Sequence, residues 1–170
     1  ESCHGPADTH VRQNRSLITR YALHLTRRVD TSTVQPTRLD PKRSSQVCGQ
    51  CHGVWEFYDQ ASERQANSGG LPYRPGDELS ATRFVVQPTV NADSPTMKAL
   101  LADDSLFIRD AFWSDGKVRV SGREYNGLIQ SACYLQGEMS CVSCHSIHEG
   151  HPNDLLAPNL LGNHACYQCH

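Results

Sequence analysis

The most informative segment of this 170-residue chain is Cys141-Val142-Ser143-Cys144-His145, which is followed three residues later by His148. The same Cys-x-x-Cys-His pattern occurs at residues 48–52 and again at residues 166–170. At the start of the chain, Cys3 and His4 match the last two positions of the pattern. We number the copies in chain order as motif one (1–4), motif two (48–52), motif three (141–145) and motif four (166–170).

Two cysteines separated by two residues and followed at once by histidine are typical of covalent attachment of a c-type haem. Each cysteine forms a thioether with a haem vinyl group, and the adjacent imidazole is held where it can ligate the iron. The four copies therefore predict about four covalently attached c-type haems. The predicted thioether residues are Cys3, Cys48, Cys51, Cys141, Cys144, Cys166 and Cys169, and the predicted proximal iron ligands are His4, His52, His145 and His170.

A disulfide framework and structural zinc are the two alternatives to haem attachment at these cysteines. Disulfides do not explain why histidine follows the second cysteine in every copy. Two Cys-x-x-Cys pairs can hold a zinc ion, but a repeated Cys-x-x-Cys-His fits the usual spacing of zinc ligands poorly. Cys133 is the one cysteine of eight outside the motifs, and we expect it to be a buried small apolar residue. A disulfide or an interface thiol is the alternative for Cys133.

Five of the nine histidines lie outside the motifs, and four six-coordinate haems would need four of them. His148 follows His145 by only three residues, a segment too short to reach the opposite face of the same haem. We therefore expect His148 to ligate a neighbouring haem and to hold two haems close together. The same reasoning applies to His10, six residues after His4. The other candidate distal ligands are His24, for which a core or propionate-bonding role is the alternative, His151 and His164.

The composition limits the class of fold and partner. The net charge of −2 argues against nucleic acid as a partner, and no stretch of about 18 apolar residues predicts a membrane span. The hydrophobic share of 38% is low for a single domain over residues 1–170, and haems would add apolar surface to this thin core. The chain has 13 arginines but three lysines. We interpret part of this excess as binding of haem propionates, because a guanidinium contacts both carboxylate oxygens; genomic composition is the alternative.

The local patterns predict a mostly α fold with long irregular loops and one small β-hairpin. A helix is expected over residues 11–28, where an apolar stripe recurs at helical spacing; its members are Leu17, Ile18, Tyr21 and Leu25. Further helices are expected after Ser44 or Ser45, over 54–66, from Asp93 or Ser94, and over 123–135. The hairpin is expected over residues 112–120, with its turn at Asp115-Gly116.

Two segments resemble a known family. Cys3-His4-Gly5-Pro6 with His10 resembles a segment of multihaem cytochromes related to the tetrahaem cytochrome c-554 family. The run from residue 113 to residue 128, leading to motif three and His148, is similar to bacterial multihaem proteins that carry a tetratricopeptide region further on. The resemblance implies a haem-organised multihaem cytochrome c fold with His10 as a distal ligand. It also implies that residues 1–170 are a fragment or one unit of a larger haem array.

We expect the function to be electron transfer through about four c-type haems with mainly bis-histidine ligation, because two imidazoles close both axial positions of the iron. One alternative is a multihaem enzyme that acts on a small nitrogen compound at a five-coordinate haem. Another is a subunit of an extracellular conducting filament built from copies of the chain placed end to end. Redox proteins are the expected partners. Bacteria attach haem c outside the cytoplasm, which predicts a periplasmic or extracellular location.

Overall fold

The computed structural model of the chain describes residues 2–27, 29–149, 155–168 and 170. The described residues are mostly helical with a small two-stranded antiparallel sheet, so the expected mostly α class is confirmed. The α-helices are α1 (Asp8–Gln13), α2 (Leu17–Thr26), α3 (Pro41–His52), α4 (Gln60–Gly69), α5 (Pro95–Asp103), α6 (Phe107–Ala111), α7 (Tyr125–Leu128), α8 (Ala132–Leu135) and α9 (His164–Tyr167). The strands are β1 (Trp55–Glu56) and β2 (Phe84–Val85), and 3₁₀ helices cover Pro36–Arg38, Leu79–Ala81 and Cys141–Ser143.

Helix α3 lies at the centre of the packing and carries motif two. The Asp40 side chain accepts a hydrogen bond from the backbone N–H of Arg43 at 3.0 Å, and Pro41 follows at the first helical position. The predicted start at Ser44 or Ser45 is therefore wrong, and both serines are buried inside the helix. Helix α3 packs against α7 and against all three 3₁₀ helices. Motif two is thus fixed to the most extensively packed helix among the described residues.

The helix predicted over residues 11–28 is two helices. Asn14 ends α1, where its side-chain amide donates to the backbone oxygen of His10 at 2.9 Å. Ser16 begins α2, because its hydroxyl accepts from the backbone N–H of Ile18 at 3.2 Å. Helix α2 has no buried residue, and its apolar stripe is open to solvent; Ile18, for example, is 81% exposed.

The sheet forms where no strand was expected, and the expected hairpin is reduced. Strands β1 and β2 pair antiparallel, with Trp55 opposite Val85. Over residues 112–120 a single antiparallel bridge joins Phe112 to Val118. The turn between them contains Gly116 at φ +81°, a backbone conformation that favours glycine. The predicted hairpin therefore ends after one bridge and forms no ladder.

Two other predicted helices differ in their bounds, and one is confirmed. Helix α5 begins as expected, since the Ser94 hydroxyl accepts from the N–H of Met97 at 3.1 Å. Helix α4 begins only after Asp59, whose carboxylate caps it, rather than at residue 54. The helix predicted over residues 123–135 is interrupted before Ser131, which caps α8, and so becomes the short helices α7 and α8. Among the described residues, no helix is both long and apolar enough to cross a membrane.

Eight of the ten buried apolar residues form two small clusters, and a buried amide lies beside them. The first contains Val54, Phe84, Val86, Met97 and Phe112, and the second contains Tyr73, Leu79 and Tyr125. Asn126 is fully buried, and its Oδ1 accepts from the N–H of Val54 at 2.6 Å. Its Nδ2 donates to the backbone oxygens of Val54 at 3.1 Å and of Val86 at 2.7 Å. This amide therefore ties α7 to the end of the sheet where Val54 and Val86 face each other.

Candidate haem-binding site

Motif two is held in place by its neighbours on α7. A Cβ atom on Gly49, the first spacer residue of the motif, would lie 2.8 Å from the ring of Tyr125. Only glycine therefore allows this approach of α7 to α3. Just before α7, Arg123 Nη1 donates to the backbone oxygen of Cys51 at 2.9 Å and satisfies a carbonyl at the end of α3. The cysteines of motif two consequently lie on a rigid helix end.

Motifs two and three meet through their first cysteines. Helix α3, which carries Cys48, packs against the 3₁₀ helix Cys141–Ser143, so the two thiols lie near each other. The neighbouring Cys48 thiol lowers the pKa of Cys141 to about 7, and the Cys141 thiol together with burial raises the pKa of Cys48. The charge of Cys3 also acts on Cys48, so motif one lies in the same region. Three motifs that are far apart in sequence therefore converge.

A glutamine in the second spacer position makes the other contacts between motifs. Gln50 Nε2, in motif two, donates to the backbone oxygen of Ser2 in motif one at 2.6 Å. Gln168 Nε2, in motif four, lies 3.6 Å from Cys144 Sγ in motif three. The sequence patterns did not single out these two residues as functional candidates. The available signal was the presence of glutamine at the same spacer position in motifs two and four.

The motif-one histidine is oriented by a backbone carbonyl. His4 Nδ1 lies 2.7 Å from the backbone oxygen of Val34, and the N–H of Val34 donates to the backbone oxygen of His4 at 2.9 Å. A carbonyl oxygen can only accept, so Nδ1 is the donor in this contact. The lone pair of His4 Nε2 is then available to a metal, which is the usual arrangement of a metal-bound histidine.

His10 is oriented by a carboxylate. Its Nδ1 lies 2.7 Å from Asp30 Oδ2, which also accepts from Asn14 Nδ2 at 3.0 Å. Hydrogen bonds from the hydroxyl and the backbone N–H of Ser32, then from His10 and Asn14, lower the pKa of Asp30 to about 2. Asp30 is therefore ionised at neutral pH and can only accept. His10 Nε2 is left available to a metal in the same way as in His4.

His52, in motif two, has a weaker partner of the same kind. Its Nδ1 lies 3.4 Å from Glu124 Oε2, and both side chains are exposed. Hydrogen bonds from the backbone N–H groups of Glu124 and Gly122, and then from His52, lower the pKa of Glu124. The carboxylate is thus the acceptor, although solvent screening weakens an exposed contact of this length.

His148 lies beside His4 and not beside a residue of its own motif. The centroids of the two imidazole rings are 6.0 Å apart, and the ring planes differ by 19°. His148 follows motif three, whereas His4 belongs to motif one. The structure therefore brings the spare histidine that follows motif three to the histidine of motif one, and its expected ligation of a neighbouring haem stays a prediction.

The remaining predicted residues are less closely associated with other motifs. The segment that carries His145 forms an antiparallel bridge with Leu156. His24 is exposed on α2, and His164 contacts Tyr167 edge-on with ring centroids 5.9 Å apart. Cys166 and His170 are exposed at the end of the chain. Cys169 and His151 lie outside the described residues.

The part of the chain that the structure describes contains no disulfide bond and no cluster of side chains that could hold a bare metal ion. Each described cysteine is free of a disulfide bond. In this same part, no group of three or more His, Cys, Asp or Glu side chains could hold a metal ion by itself. Cys133 is exposed, so the prediction that it is buried is wrong. It lies on the one-turn helix α8, which has no buried residue.

The donor set and the apolar surface fit a haem. A haem iron needs two axial imidazoles rather than a cluster of ligands, and a porphyrin needs apolar side chains to cover it. Among the described residues, seventeen large apolar side chains are exposed, more than the ten that form the core. Several of them flank the motifs or the spare histidines, including Val11, Leu17, Ile18, Tyr21, Leu25, Ile147, Leu161 and Tyr167. The stripe on α2 is contiguous, and a contiguous exposed apolar patch is typical of a binding surface.

Comparison with protein-family models, with curated proteins and with solved structures finds no match to this chain. The resemblance to tetrahaem cytochromes therefore stays a prediction, and the function has to be argued from the residues of the chain itself.

Proposed function

We propose that this chain is an electron-transfer protein that binds about four c-type haems through motifs one to four, mainly with two histidines on each iron. The observation that carries the proposal is the pairing of His4 with His148. The two rings lie 6.0 Å apart with nearly parallel planes, so the spare histidine that follows motif three stands beside the histidine of motif one. His148 would then be the distal ligand of the motif-one haem.

The hydrogen bonds of the histidines support the same assignment. His4, His10 and His52 each direct Nδ1 towards an oxygen acceptor. An acceptor at Nδ1 fixes the ring orientation and makes Nε2 a better ligand. His10 is therefore proposed as the distal ligand of a second haem, in agreement with its resemblance to the cytochrome segment. His24 and His164 are the candidates for the remaining distal positions among the described residues.

The contacts between motifs support electron transfer as the activity. Haem c supplies one-electron chemistry when it is bound. Cys48 and Cys141 lie near each other, and Gln50 and Gln168 join neighbouring motifs, so the attachment points lie close together. Two histidines on an iron leave no axial position for a substrate, which favours transfer over catalysis. We propose redox proteins as partners and a location outside the cytoplasm, where haem c is attached.

Mass spectrometry of the protein, produced with a bacterial haem-attachment system, tests the haem content. Four haems of about 0.6 kDa each are expected. The variant with Cys48→Ser and Cys51→Ser should lose one haem, whereas Cys133→Ser should lose none and is the matched control. A mass increase of fewer than three haems would contradict the proposal.

An optical and EPR spectrum with added CO or nitrite tests the ligation and separates transfer from catalysis. Low-spin haems that do not bind the added ligand are expected if most irons carry two histidines. A high-spin haem that binds nitrite in the wild-type protein would instead support the enzyme alternative.

A further inference from the structure

Helices α1 and α2 carry an excess of positive charge. Residues 9–29 include five arginines and no aspartate or glutamate, whereas the whole chain has a net charge of −2. One of the five, Arg12, is paired at 2.5 Å with the aspartate that begins α1. Arg15, Arg20 and Arg27 are exposed, and within the described part of the chain none of them forms an ion pair. This end of the molecule is therefore a basic surface on a chain whose net charge is negative.

The apolar stripe of α2 runs between these arginines. Its members, Leu17, Ile18, Tyr21 and Leu25, are between 63% and 81% exposed, and the helix has no buried residue. At 3.6 residues per turn the four side chains fall within an arc of about 100°, and Arg20 lies about 60° beyond one edge of that arc. An apolar centre with a cationic rim, left uncovered by the residues that the structure describes, has the anatomy of a protein–protein interface.

This surface adjoins motif one. Helix α1 begins four residues after His4, and α2 follows α1 after a connection of three residues. The segment that follows α2 returns to both: Asp30 Oδ2 lies 2.7 Å from His10 Nδ1 on α1, and the N–H of Val34 donates to the backbone oxygen of His4 at 2.9 Å. Under the proposed function a haem iron is held between His4 and His148. The haem of motif one would therefore lie beside the basic surface.

We infer that α1 and α2 form the docking surface for an acidic redox protein that exchanges electrons with the haem of motif one, an inference that rests on the proposed function. Carboxylates of the partner face Arg15, Arg20 and Arg27, and its apolar side chains cover the stripe. Opposite charges steer the encounter and raise the rate of association. A ten-residue helix is about 15 Å long, which suits the small, transient complexes of redox proteins. An anionic membrane is a poorer partner, because it repels a chain of negative net charge.

Stopped-flow reduction of the haem-loaded protein by a reduced plant-type [2Fe–2S] ferredoxin of negative net charge tests the inference. One electron leaves the iron–sulfur cluster and reduces a haem iron from Fe(III) to Fe(II). The second-order rate constant should fall about tenfold or more between about 0.01 M and about 1 M salt, because salt screens the opposite charges.

The variants show which arginines carry the effect. Arg15→Gln combined with Arg20→Gln should lower the low-salt rate constant about threefold or more and weaken its salt dependence. Arg38→Gln combined with Arg64→Gln is the matched control, because it removes the same charge from exposed positions outside α1 and α2. The control should stay close to wild type. Equal rate constants in the two double variants would overturn the inference.

Two further measurements examine the apolar centre and the membrane alternative. Ile18 is 81% exposed, so Ile18→Asp keeps the fold but places a carboxylate in the stripe. It should lower the rate constant at low and at high salt, and an unchanged constant would overturn the inference. Wild-type protein should not sediment with phosphatidylglycerol vesicles; sedimentation that Arg15→Gln with Arg20→Gln abolishes would overturn the inference in favour of a membrane. Failure of dithionite to reduce the haem-loaded protein would instead contradict the proposed function.

Discussion

Replacing His148 with alanine should open one iron to external ligands and leave the others closed. The ring of His148 lies 6.0 Å from that of His4, and under the proposed function the two histidines ligate the same iron. Alanine removes that ring but leaves the proximal residue, which belongs to motif one. If the protein binds about four haems as proposed, about one quarter of the iron should become high-spin and bind CO. Wild-type protein should bind little CO.

The assay is a CO titration of the dithionite-reduced protein, with the iron content measured independently. EPR of the oxidised protein should show a high-spin signal in His148→Ala, and added imidazole should remove it. Glu149→Gln is the control, because it changes the adjacent residue of the same loop without removing an imidazole. If His148→Ala bound CO at none of its haems, or at two of them, the pairing of His148 with His4 would be refuted. Equal uptake in Glu149→Gln would show that the loop, and not the ligand, is responsible.

Three other changes have defined outcomes. Hydrogen bonds lower the pKa of Asp30 to about 2, so its stabilising contribution is complete above its usual pKa of 3.8 and is lost as the pH falls towards 2. In urea titrations at pH 7, Asp30→Ala should therefore reduce the free energy of unfolding by about 1 kcal/mol, after allowance for solvent exposure. At pH 2.5 the same substitution should cost less. An equal loss of stability at the two pH values would contradict this prediction. Asn126→Ala removes three buried hydrogen bonds and should cost about 3 kcal/mol in the same assay, whereas the exposed Asn67→Ala should cost little. In polypeptide purified without haem, alkylation of Cys141 should rise with a midpoint near pH 7 and shift to higher pH in Cys48→Ala; an unshifted midpoint would exclude an effect of the Cys48 thiol on Cys141.

A capping residue followed by proline predicts the start of a helix at some positions of this sequence but not at others. Ser94 with Pro95 predicts the start of α5 correctly. The same combination at Asp40 and Pro41 begins α3, but a proline is also typical of turns, and a loop is the expectation there from sequence alone. The break between α1 and α2 depends on Asn14 bonding to Asp30, a contact that hydrophobic periodicity cannot reveal.

Contacts between residues that are far apart in the chain could not be predicted from the sequence. Strands β1 and β2 have two residues each, too few for an alternating pattern, and their pairing depends on the tertiary structure. The Cys-x-x-Cys-His pattern is evident from the sequence alone. The proximity of Cys48 to Cys141, and the exposure of the apolar stripe on α2, are visible only in the folded chain. The position of His148 beside a different motif can be anticipated because chain reach is a local constraint.

The contacts made by the spacer glutamines bear on the order in which the protein matures. Gln50 reaches Ser2 across 48 positions, and Cys48 meets a cysteine that is synthesised much later. Closing such long loops is slower than forming α3, whose contacts are local. Under the proposed function, motifs one and two would therefore be open to haem attachment before their contacts with motif three form. Under the proposed function, the haems would be attached from the N-terminal end towards the C-terminal end, and the last attachment would complete the folded structure.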